Sequence, residues 1–264
     1  MIGHAVLAAG LAVSPIAVSR PEISVMTWNV CAGTNSACSL YRATAPELAR
    51  AIGAQAGRGT DVLFLQEFCT GADAALEGWL ERGTGRDWTV RSWGLTYRDG
   101  RPHSCHPDLL GRPRGTQSIT VAAAGPATFE VHPMAYPPWS VRRAAVCAEL
   151  PGKRVRACTS HLSVGLPYDD RQPGAPYRSK QVRRLFALTK PGYTHVFGGD
   201  LNLRPGARAL APVYGRFQEC DPRRRPTMRA KKLDYLFTGR VLSCRLDART
   251  RVSDHQPLHM RAAL

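Results

Sequence analysis

Phe197-Gly198-Gly199-Asp200-Leu201-Asn202 follows an apolar run near the middle of the chain, and Ser253-Asp254-His255-Gln256-Pro257 follows another near its end. Short apolar runs of this kind predict strands that are buried on both faces. Each stretch therefore places a carboxylate, together with an amide or an imidazole, at the end of a strand. Strand ends are rigid and the loops beside them are free to diverge, so functional sites of sheet proteins gather there.

The same pattern recurs along the chain, with an apolar run that meets a polar residue at its entry or exit. The residues in these positions are Asn29, Glu67, His161, Asp200, Asn202, Asp234, Asp254 and His255. Carboxylate and amide oxygens suit a hard divalent cation, and acids and imidazoles can position water beside a phosphate ester. The alternative for a single Gly-Gly-Asp turn is an ordinary Asx turn, and for a single glutamate a solvated strand end.

The remaining pattern predicts a mixture of strands and helices. Thr44-Ala45-Pro46-Glu47 is a capping box that opens a helix to about Ala56, and further helices are predicted over 72–82, 177–189 and 207–213. Glu67 is expected at the exit of its strand. The predicted strands are 23–30, 61–67, 88–93, 118–124, 141–150, 153–160, 194–197, 233–237, 241–246 and 257–262. Strands outnumber helices, which favours a two-layered β core flanked by helices.

Length and charge restrict the partners. A chain of 264 residues with 44% apolar content can bury one large core, and we predict one domain over residues 20–264. Its formal net charge of +16 favours polyanions such as nucleic acid, because basic side chains release counterions from phosphates. An anionic membrane surface is a second partner of the right sign, and a merely solubilising surface is the alternative for any single basic run.

Residues 5–18 form an apolar stretch that is too short to span a bilayer and has the length of a signal-peptide core. Ala17-Val18-Ser19 then offers a small-residue cleavage site. We therefore predict a signal peptide over residues 1–19 and a secreted protein. A short hydrophobic N-terminal strand or tail is the alternative.

The eight cysteines support export independently, because an even number without a C-x-x-C pair favours disulfides over zinc. If Gly152 and Lys153 are the central residues of a hairpin turn, Cys147 lies directly opposite Cys158, within disulfide reach. For the other six, proximity in sequence suggests the pairs Cys31–Cys38, Cys69–Cys105 and Cys220–Cys244. Buried free thiols in a cytosolic protein are the alternative.

Six of these motifs, in this order, resemble the endonuclease/exonuclease/phosphatase superfamily, which includes deoxyribonucleases, apurinic endonucleases, neutral sphingomyelinases and inositol polyphosphate phosphatases. The resemblance runs from Met26 to the C-terminus. Its motifs are Thr27-Trp28-Asn29-Val30, Leu65-Gln66-Glu67, Ser160-His161-Leu162, Gly198-Gly199-Asp200-Leu201-Asn202, Leu233-Asp234-Tyr235-Leu236-Phe237 and Ser253-Asp254-His255-Gln256-Pro257. It implies an α/β fold, a four-layered α/β sandwich of two packed mixed β-sheets flanked by helices.

The resemblance also implies a metal and the groups around it. Glu67 would be the principal ligand of Mg²⁺, with Asn29 and Asp254 nearby, and Mn²⁺ or Ca²⁺ are the alternative ions. Asp200 would orient or deprotonate the attacking water. Asn202 would bind the substrate by donating a hydrogen bond to the phosphate or to that water.

Two histidines match family positions. His255 matches the histidine that takes the proton of the water or contacts the phosphoryl oxygens, and Asp234 matches the carboxylate that orients it. His161 matches the second histidine of the deoxyribonuclease branch and would donate to the phosphate or the leaving group. In that branch the second histidine has a glutamate partner, and the sequence offers none in residues 91–116.

Other residues have weaker signals. Arg143 resembles a substrate-binding arginine that faces the phosphate, and Arg142 is the competing choice. His103 and His106 flank a cysteine but lack further ligand spacing, so we interpret them as loop residues. The irregular segment 136–139 contains a tyrosine and a tryptophan that would stack on a base, enter a lipid interface or simply pack under the loop.

Together these observations predict a secreted, disulfide-bonded, Mg²⁺-dependent hydrolase of phosphate esters, a nuclease of low sequence specificity that acts as a monomer without a nucleotide cofactor. One alternative is a sphingomyelinase-like lipid phosphodiesterase, which would need an exposed apolar hairpin such as residues 134–139. The other is a noncatalytic binding or effector module on the same scaffold.

Overall fold

The computed structural model describes residues 21–165, 174–248, 250 and 252–264. The predicted signal peptide over residues 1–19 lies outside them. The strands are β1 (Glu22–Asn29), β2 (Val62–Cys69), β3 (Trp88–Gly94), β4 (Gln117–Ala124), β5 (Thr128–Met134), β6 (Arg143–Leu150), β7 (Val155–His161), β8 (Thr194–Asp200), β9 (Gln218–Glu219), β10 (Asp234–Thr238), β11 (Val241–Leu246) and β12 (Leu258–Ala263). The α-helices are α1 (Ala45–Ala56), α2 (Asp73–Thr84), α3 (Tyr177–Phe186) and α4 (Ala211–Tyr214).

The strands form two six-stranded mixed sheets, and both sheets have the same arrangement of parallel and antiparallel pairs. The first sheet has the order β11-β12-β1-β2-β4-β3 and the second has the order β5-β6-β7-β8-β10-β9. In each sheet the central pair, β1 with β2 or β7 with β8, is parallel, and the other pairs are antiparallel. The two parallel pairs carry half of the eight polar residues singled out in the sequence: Asn29, Glu67, His161 and Asp200.

The sheets pack face to face, and helices cover their outer faces. Successive side chains of β2 point to opposite faces of the first sheet, and both faces are buried. Val62 and Phe64 lie between the sheets, whereas Leu63 and Leu65 pack with α1 and α2. Helix α3 and the short α4 cover the outer face of the second sheet. The predicted four-layered α/β sandwich is confirmed. None of the helices described is both long and apolar enough to cross a bilayer.

The predicted elements are largely confirmed, with informative exceptions. The capping box forms, because the Thr44 side chain accepts from the Glu47 backbone N–H while the Glu47 carboxylate accepts from Thr44. Strand β5 was not predicted, because it is a mostly exposed edge strand with little apolar pattern. The predicted helix over 207–213 is a 3-10 turn, Arg208–Leu210, followed by the single turn of α4.

All four cysteine pairs predicted from the sequence are present: Cys31–Cys38, Cys69–Cys105, Cys147–Cys158 and Cys220–Cys244. No free cysteine occurs in the described ranges. The predicted hairpin register is confirmed, since β6 and β7 pair with Cys147 opposite Cys158 and with Leu150 opposite Val155.

The Gly-Gly pair before Asp200 is required by close backbone packing. A Cβ on Gly198 would lie 1.9 Å from the carbonyl oxygen of Tyr235 on β10. Gly199 has a φ of 121°, and a Cβ there would lie 2.1 Å from the carbonyl oxygen of Ser160 on β7. Glycine at these two positions lets β8 fit between its neighbours and carry Asp200 to the sheet edge.

We expect Gly198→Ala to lower the free energy of unfolding by about 3 kcal/mol or more, because the new methyl group meets backbone that cannot move away without breaking the sheet. Urea denaturation followed by circular dichroism measures the change. Gly206→Ala is the matched control, since a Cβ there has nothing within 4 Å. Equal stability of the two variants would contradict the packing argument.

Candidate active site

Three polar side chains lie side by side at one end of the second sheet. His161 ends β7 and is paired in register with Asp200, which ends β8. Asp234 begins β10 and is paired with Asp200 from the other side. All three are almost fully buried. Strand pairing alone therefore brings together residues that are far apart in sequence.

Asn29 connects this row to the first sheet. Its Nδ2 donates to Oε1 of Glu67 and to Oδ2 of Asp200, each at 3.1 Å. Its Oδ1 accepts from the backbone N–H of Cys31 at 3.0 Å, which fixes the orientation of the amide. Because one nitrogen serves both carboxylates, Glu67 and Asp200 lie close together although they belong to different sheets.

Glu67 lies at a bulge within β2, and the prediction that it sits at the strand exit is wrong. The register of β2 against β4 shifts between Gln66 and Phe68, and Glu67 has a φ of 56°, in the left-handed region. A bulge re-aims one side chain without ending the strand. Here β2 continues to Cys69 while the Glu67 carboxylate turns toward Asn29.

His255 and Asp234 form a hydrogen-bonded pair, with Nδ1 of the imidazole 2.8 Å from Oδ2 of the carboxylate. This leaves Nε2 of His255 facing Asp200, at 3.8 Å from its Oδ2. The indole Nε1 of Trp28 donates to the backbone carbonyl oxygen of His255 and so holds the main chain that carries the imidazole in place. Thr227 supports the carboxylate partner, because its Oγ1 accepts from the backbone N–H of Asp234.

The buried charges shift one another's protonation. Burial disfavours protonation of His255, but the carboxylates of Asp234, Asp200 and Asp254 outweigh it and raise the pKa of the imidazole to about 10. Burial raises the pKa of Asp200, and repulsion from Asp234 adds to the shift. These groups therefore interact as one electrostatic cluster rather than as separate acids and bases.

His161 lies in this cluster but has a different environment. Its Nε2 is 3.5 Å from Oδ2 of Asp200, and its buried Nδ1 has no hydrogen-bond partner within the described residues. Burial, together with the nearby charges of Arg143 and His255, holds its pKa well below the usual range, so the imidazole is neutral. The glutamate partner that the sequence failed to supply is also absent from the described structure around Nδ1.

Asp200 and Asn202 form an Asx turn, in which Oδ1 of Asp200 accepts from the backbone N–H of Asn202 at 3.0 Å. The Asn202 side-chain amide donates to the carbonyl oxygen of Leu162, and the backbone carbonyl oxygen of Asn202 accepts from the Arg178 guanidinium at 2.5 Å. Asp200 and Asn202 can therefore form an ordinary Asx turn and still belong to the candidate site. The turn fixes Asn202 beside the second sheet's polar row, with a φ of 49°.

Of the two candidate arginines, Arg143 borders the site. It is buried at the start of β6, donates to the carbonyl oxygen of His161 and acts electrostatically on Glu67. Arg142 is instead tied to the backbone of a loop through Thr96 and Arg98. Arg143 is therefore the one that borders the cluster.

The loop histidines stand apart from the cluster. The His106 ring packs on Tyr41, and Nδ1 of His103 lies 2.8 Å from the hydroxyl of Tyr97. Neither belongs to a group of metal-ligating side chains in the part of the chain that the structure describes. Their interpretation as loop residues fits these contacts. Trp139 is 43% exposed, which leaves its ring accessible.

The donors around Glu67 fit a hard divalent cation. Its Oε2 has no hydrogen-bond partner among the described residues. Burial raises the pKa of Glu67, and repulsion from the nearby Asp254 carboxylate raises it further. A dication would relieve that repulsion, and carboxylate oxygens are the ligands that Mg²⁺ prefers. Cys38 contacts Asp254 at 3.7 Å but is held in a disulfide, so its sulfur offers no thiolate ligand.

Two further residues, whose roles the sequence pattern does not indicate, hold the site together. The hydroxyl of Ser253 donates to the carbonyl oxygen of Asn29 and accepts from the backbone N–H of His255. The amide of Gln66 donates to Thr27 and to Thr159, and so bridges the two sheets under the site. Both residues stand in the quoted motifs, but nothing in their spacing shows what they bind.

Solved structures of other proteins share this fold. A human Nocturnin catalytic domain with a bound sulfate anion aligns with a TM-score of 0.62 and 16% identity, covering 92% of this chain and 94% of that one. An endonuclease/exonuclease/phosphatase family protein from Leptotrichia buccalis gives 0.60 and 15%, covering 92% and 100%. Truncated TDP2 from Caenorhabditis elegans gives 0.56 and 15%, covering 92% and 98%.

A search of curated proteins gave no significant match. The sequence itself matches the Endonuclease/Exonuclease/phosphatase family over residues 26–255, which include every residue of the cluster described above. That range covers most of the chain. The protein therefore belongs to the endonuclease/exonuclease/phosphatase family, whose enzymes hydrolyse phosphate esters.

Proposed function

We propose that this protein is an exported, Mg²⁺-dependent phosphodiesterase that cleaves nucleic acid with little sequence preference. One observation carries the proposal: the Asn29 amide holds Glu67 beside Asp200, and the His255–Asp234 pair lies at the same strand ends. A module that only binds a partner has no need for this buried set of acids and imidazoles. The four disulfides support export, because they persist in oxidising compartments.

The residues divide into a metal side and a water side. Glu67 and Asp254 would hold the cation, which when bound neutralises charge on the nonbridging oxygens of the ester, and Asn29, whose Nδ2 donates to Glu67, would position that carboxylate. Asp200 would orient the attacking water and accept its proton, and the protonated His255, whose Nε2 lies 3.8 Å from Oδ2 of Asp200, would contact the phosphoryl oxygens. Asp234 would keep the imidazole oriented through Nδ1.

The phosphate would lie between the two sides. His161 and Asn202 would donate hydrogen bonds to its oxygens, and Arg143 would add a guanidinium charge at the start of β6. Two of these side chains are held by a backbone contact in the structure: Asn202 donates to the carbonyl oxygen of Leu162, and Arg143 donates to that of His161. Groups fixed in this way need no rearrangement when charge develops on the phosphate.

A basic segment beside His255 supports a polymeric polyanion as substrate. Met228 is bridged to His255, and the backbone N–H of Gln256 donates to Thr227. Segment 222–232 therefore packs against the loop that carries the imidazole. Its exposed basic residues are Arg223, Arg224, Arg229 and Lys231. Positive charge next to the reacting ester would contact phosphates on either side of it.

Substrate panels test the function directly. We expect the protein with Mg²⁺ to cleave plasmid DNA or structured RNA, to stop when a chelator is added, and to leave sphingomyelin vesicles intact. Glu67→Gln should lower the rate by about 100-fold or more, since even groups that only support a metal ligand matter by 10- to 100-fold. Mg²⁺ binding by calorimetry should weaken in the same variant.

Glu81→Gln is the control, because Glu81 is exposed on α2 and far from the cluster. Cleavage of sphingomyelin with intact nucleic acid would favour the lipid phosphodiesterase. Binding of nucleic acid without turnover of any substrate would favour the noncatalytic module.

His255 and Asp234 should act as a unit. We expect His255→Ala to lower the turnover rate by about 10²- to 10⁴-fold, because a positioned acid or base contributes that much. Asp234→Asn acts through the same imidazole, so adding it to His255→Ala should cost little more than His255→Ala alone. Single-turnover kinetics of the two single variants and the double variant measure this. Additive losses would mean that Asp234 works independently of His255.

Salt should weaken cleavage through the basic segment. We expect the logarithm of kcat/KM to fall linearly with the logarithm of salt concentration, because bound phosphates release counterions. The double variant Arg229→Ala with Lys231→Ala should have a slope that is smaller in magnitude by about 1 to 2. Arg58→Ala with Arg82→Ala is the control pair, exposed near the opposite end of the first sheet. An unchanged slope in the first pair would remove the segment from the substrate path.

A further inference from the structure

Two adjacent leucines project from the loop between β3 and β4. Leu109 is 72% exposed and Leu110 is 71% exposed, the highest values among the large apolar side chains of the described residues. The next value is 50%, for Val164. Single exposed apolar residues are common, but two neighbours at the tip of one turn form a local apolar projection.

The turn that carries them is held rigidly by Asp108. Its Oδ1 accepts from the backbone N–H groups of Leu110 and Arg112, and its Oδ2 pairs with the Arg112 guanidinium at 2.8 Å. The backbone N–H of Gly111 closes the turn on the carbonyl oxygen of Asp108. The two leucines are therefore presented in a fixed conformation, and little ordering entropy would be lost when they are buried by a partner.

The base of the turn is anchored to the body of the protein on both sides. Arg42 donates to the carbonyl oxygens of Pro107 and Asp108 and accepts from the backbone N–H of Leu109. Cys105 is joined to Cys69 at the end of β2. A loop that was merely tolerated as exposed would not need contacts of this number at its base.

Positive charge surrounds the projection. Arg42, Arg50 and Arg112 are exposed near it, and the one carboxylate inside the turn, Asp108, is paired with Arg112. The acidic group on the neighbouring helix α1, Glu47, is engaged in the capping box with Thr44. An apolar tip inside a basic surround is the arrangement that suits an anionic lipid surface.

The projection lies on the same side of the fold as the candidate active site. A surface groove of about 560 Å³ is lined by Leu109, Arg50, Cys38 and Val252. Val252 directly precedes the Ser253-Asp254-His255 motif, and Cys38 contacts Asp254. A surface bound at the turn would therefore lie beside the loops that enclose the catalytic cluster.

We propose that the turn over residues 108–112 is a membrane-docking element, in which Leu109 and Leu110 enter the interfacial region of an anionic bilayer while Arg42, Arg50 and Arg112 contact lipid headgroups. A second copy of this chain is a less suitable partner for the turn, because the basic surfaces around the two turns would repel each other in a protein of net charge +16. The proposal goes beyond the proposed function and does not depend on which ester the site cleaves.

Vesicle sedimentation tests docking without any turnover. The full chain is mixed with vesicles of phosphatidylcholine containing phosphatidylglycerol, and with vesicles of phosphatidylcholine alone. We expect binding to the anionic vesicles that weakens with added salt. Leu109→Ser with Leu110→Ser should lower the partition coefficient by about tenfold or more, since two leucines lose their burial in lipid. All proteins in the comparison carry the same N-terminal residues, so the difference reports the turn.

Val131→Ser with Leu242→Ser is the matched control, because these residues are 44% and 43% exposed on edge strands away from the turn. It should bind vesicles like the unmodified protein. Thermal unfolding should be unchanged in both double variants, and light scattering reports their oligomeric state. Equal vesicle binding by the Leu109/Leu110 variant, or equal binding to neutral and anionic vesicles, would overturn the proposal. A dimer that this variant abolishes would overturn it too, by making the turn a protein contact.

Discussion

The amide of Asn29 is the contact on which the site depends. It stands at the end of the parallel pair of the first sheet and donates to a carboxylate from each sheet, Glu67 and Asp200. The proposed metal side and the proposed water side are therefore joined by one side chain. The orientation of the amide is set by the backbone N–H of Cys31. The backbone carbonyl oxygen of Asn29 accepts from the Ser253 hydroxyl, so the residue also ties in the loop that carries His255.

The fold explains why acids can be buried here at all. Asp200 and Asp234 lie opposite each other on adjacent strands, a pairing that repels. The repulsion is relieved by groups that come from other elements: Asn29 donates to Asp200, and His255 pairs with Asp234. Charge on the cluster is thus balanced only when both sheets and the loop before β12 are assembled.

The sequence predicted those parts of the structure that follow from local chemistry. The capping box located α1, the hairpin register paired Cys147 with Cys158, and the Gly-Gly-Asp sequence indicated an Asx turn at Asp200. The motifs of the family predicted which polar residues meet. Their roles as ligand, acid or donor remain predictions.

What the sequence did not predict depends on contacts between distant segments. The bulge at Glu67 arises from its pairing with β4, and no residue type near it signals a shift of register. The bridge from Gln66 to Thr159 crosses between sheets, and strand β5 is stabilised by β6 rather than by its own pattern. Such features become visible only when the partner strand is in place.

The disulfide between Cys31 and Cys38 lies directly against this arrangement, because one cysteine fixes the Asn29 amide and the other touches Asp254. In a reducing cytosol the two sulfurs would stay as thiols, and the short segment between them would lose its closure. A freshly made chain would then hold its acids less firmly than the oxidised one. Oxidation of this one pair would therefore firm up both the Asn29 amide and the segment beside Asp254.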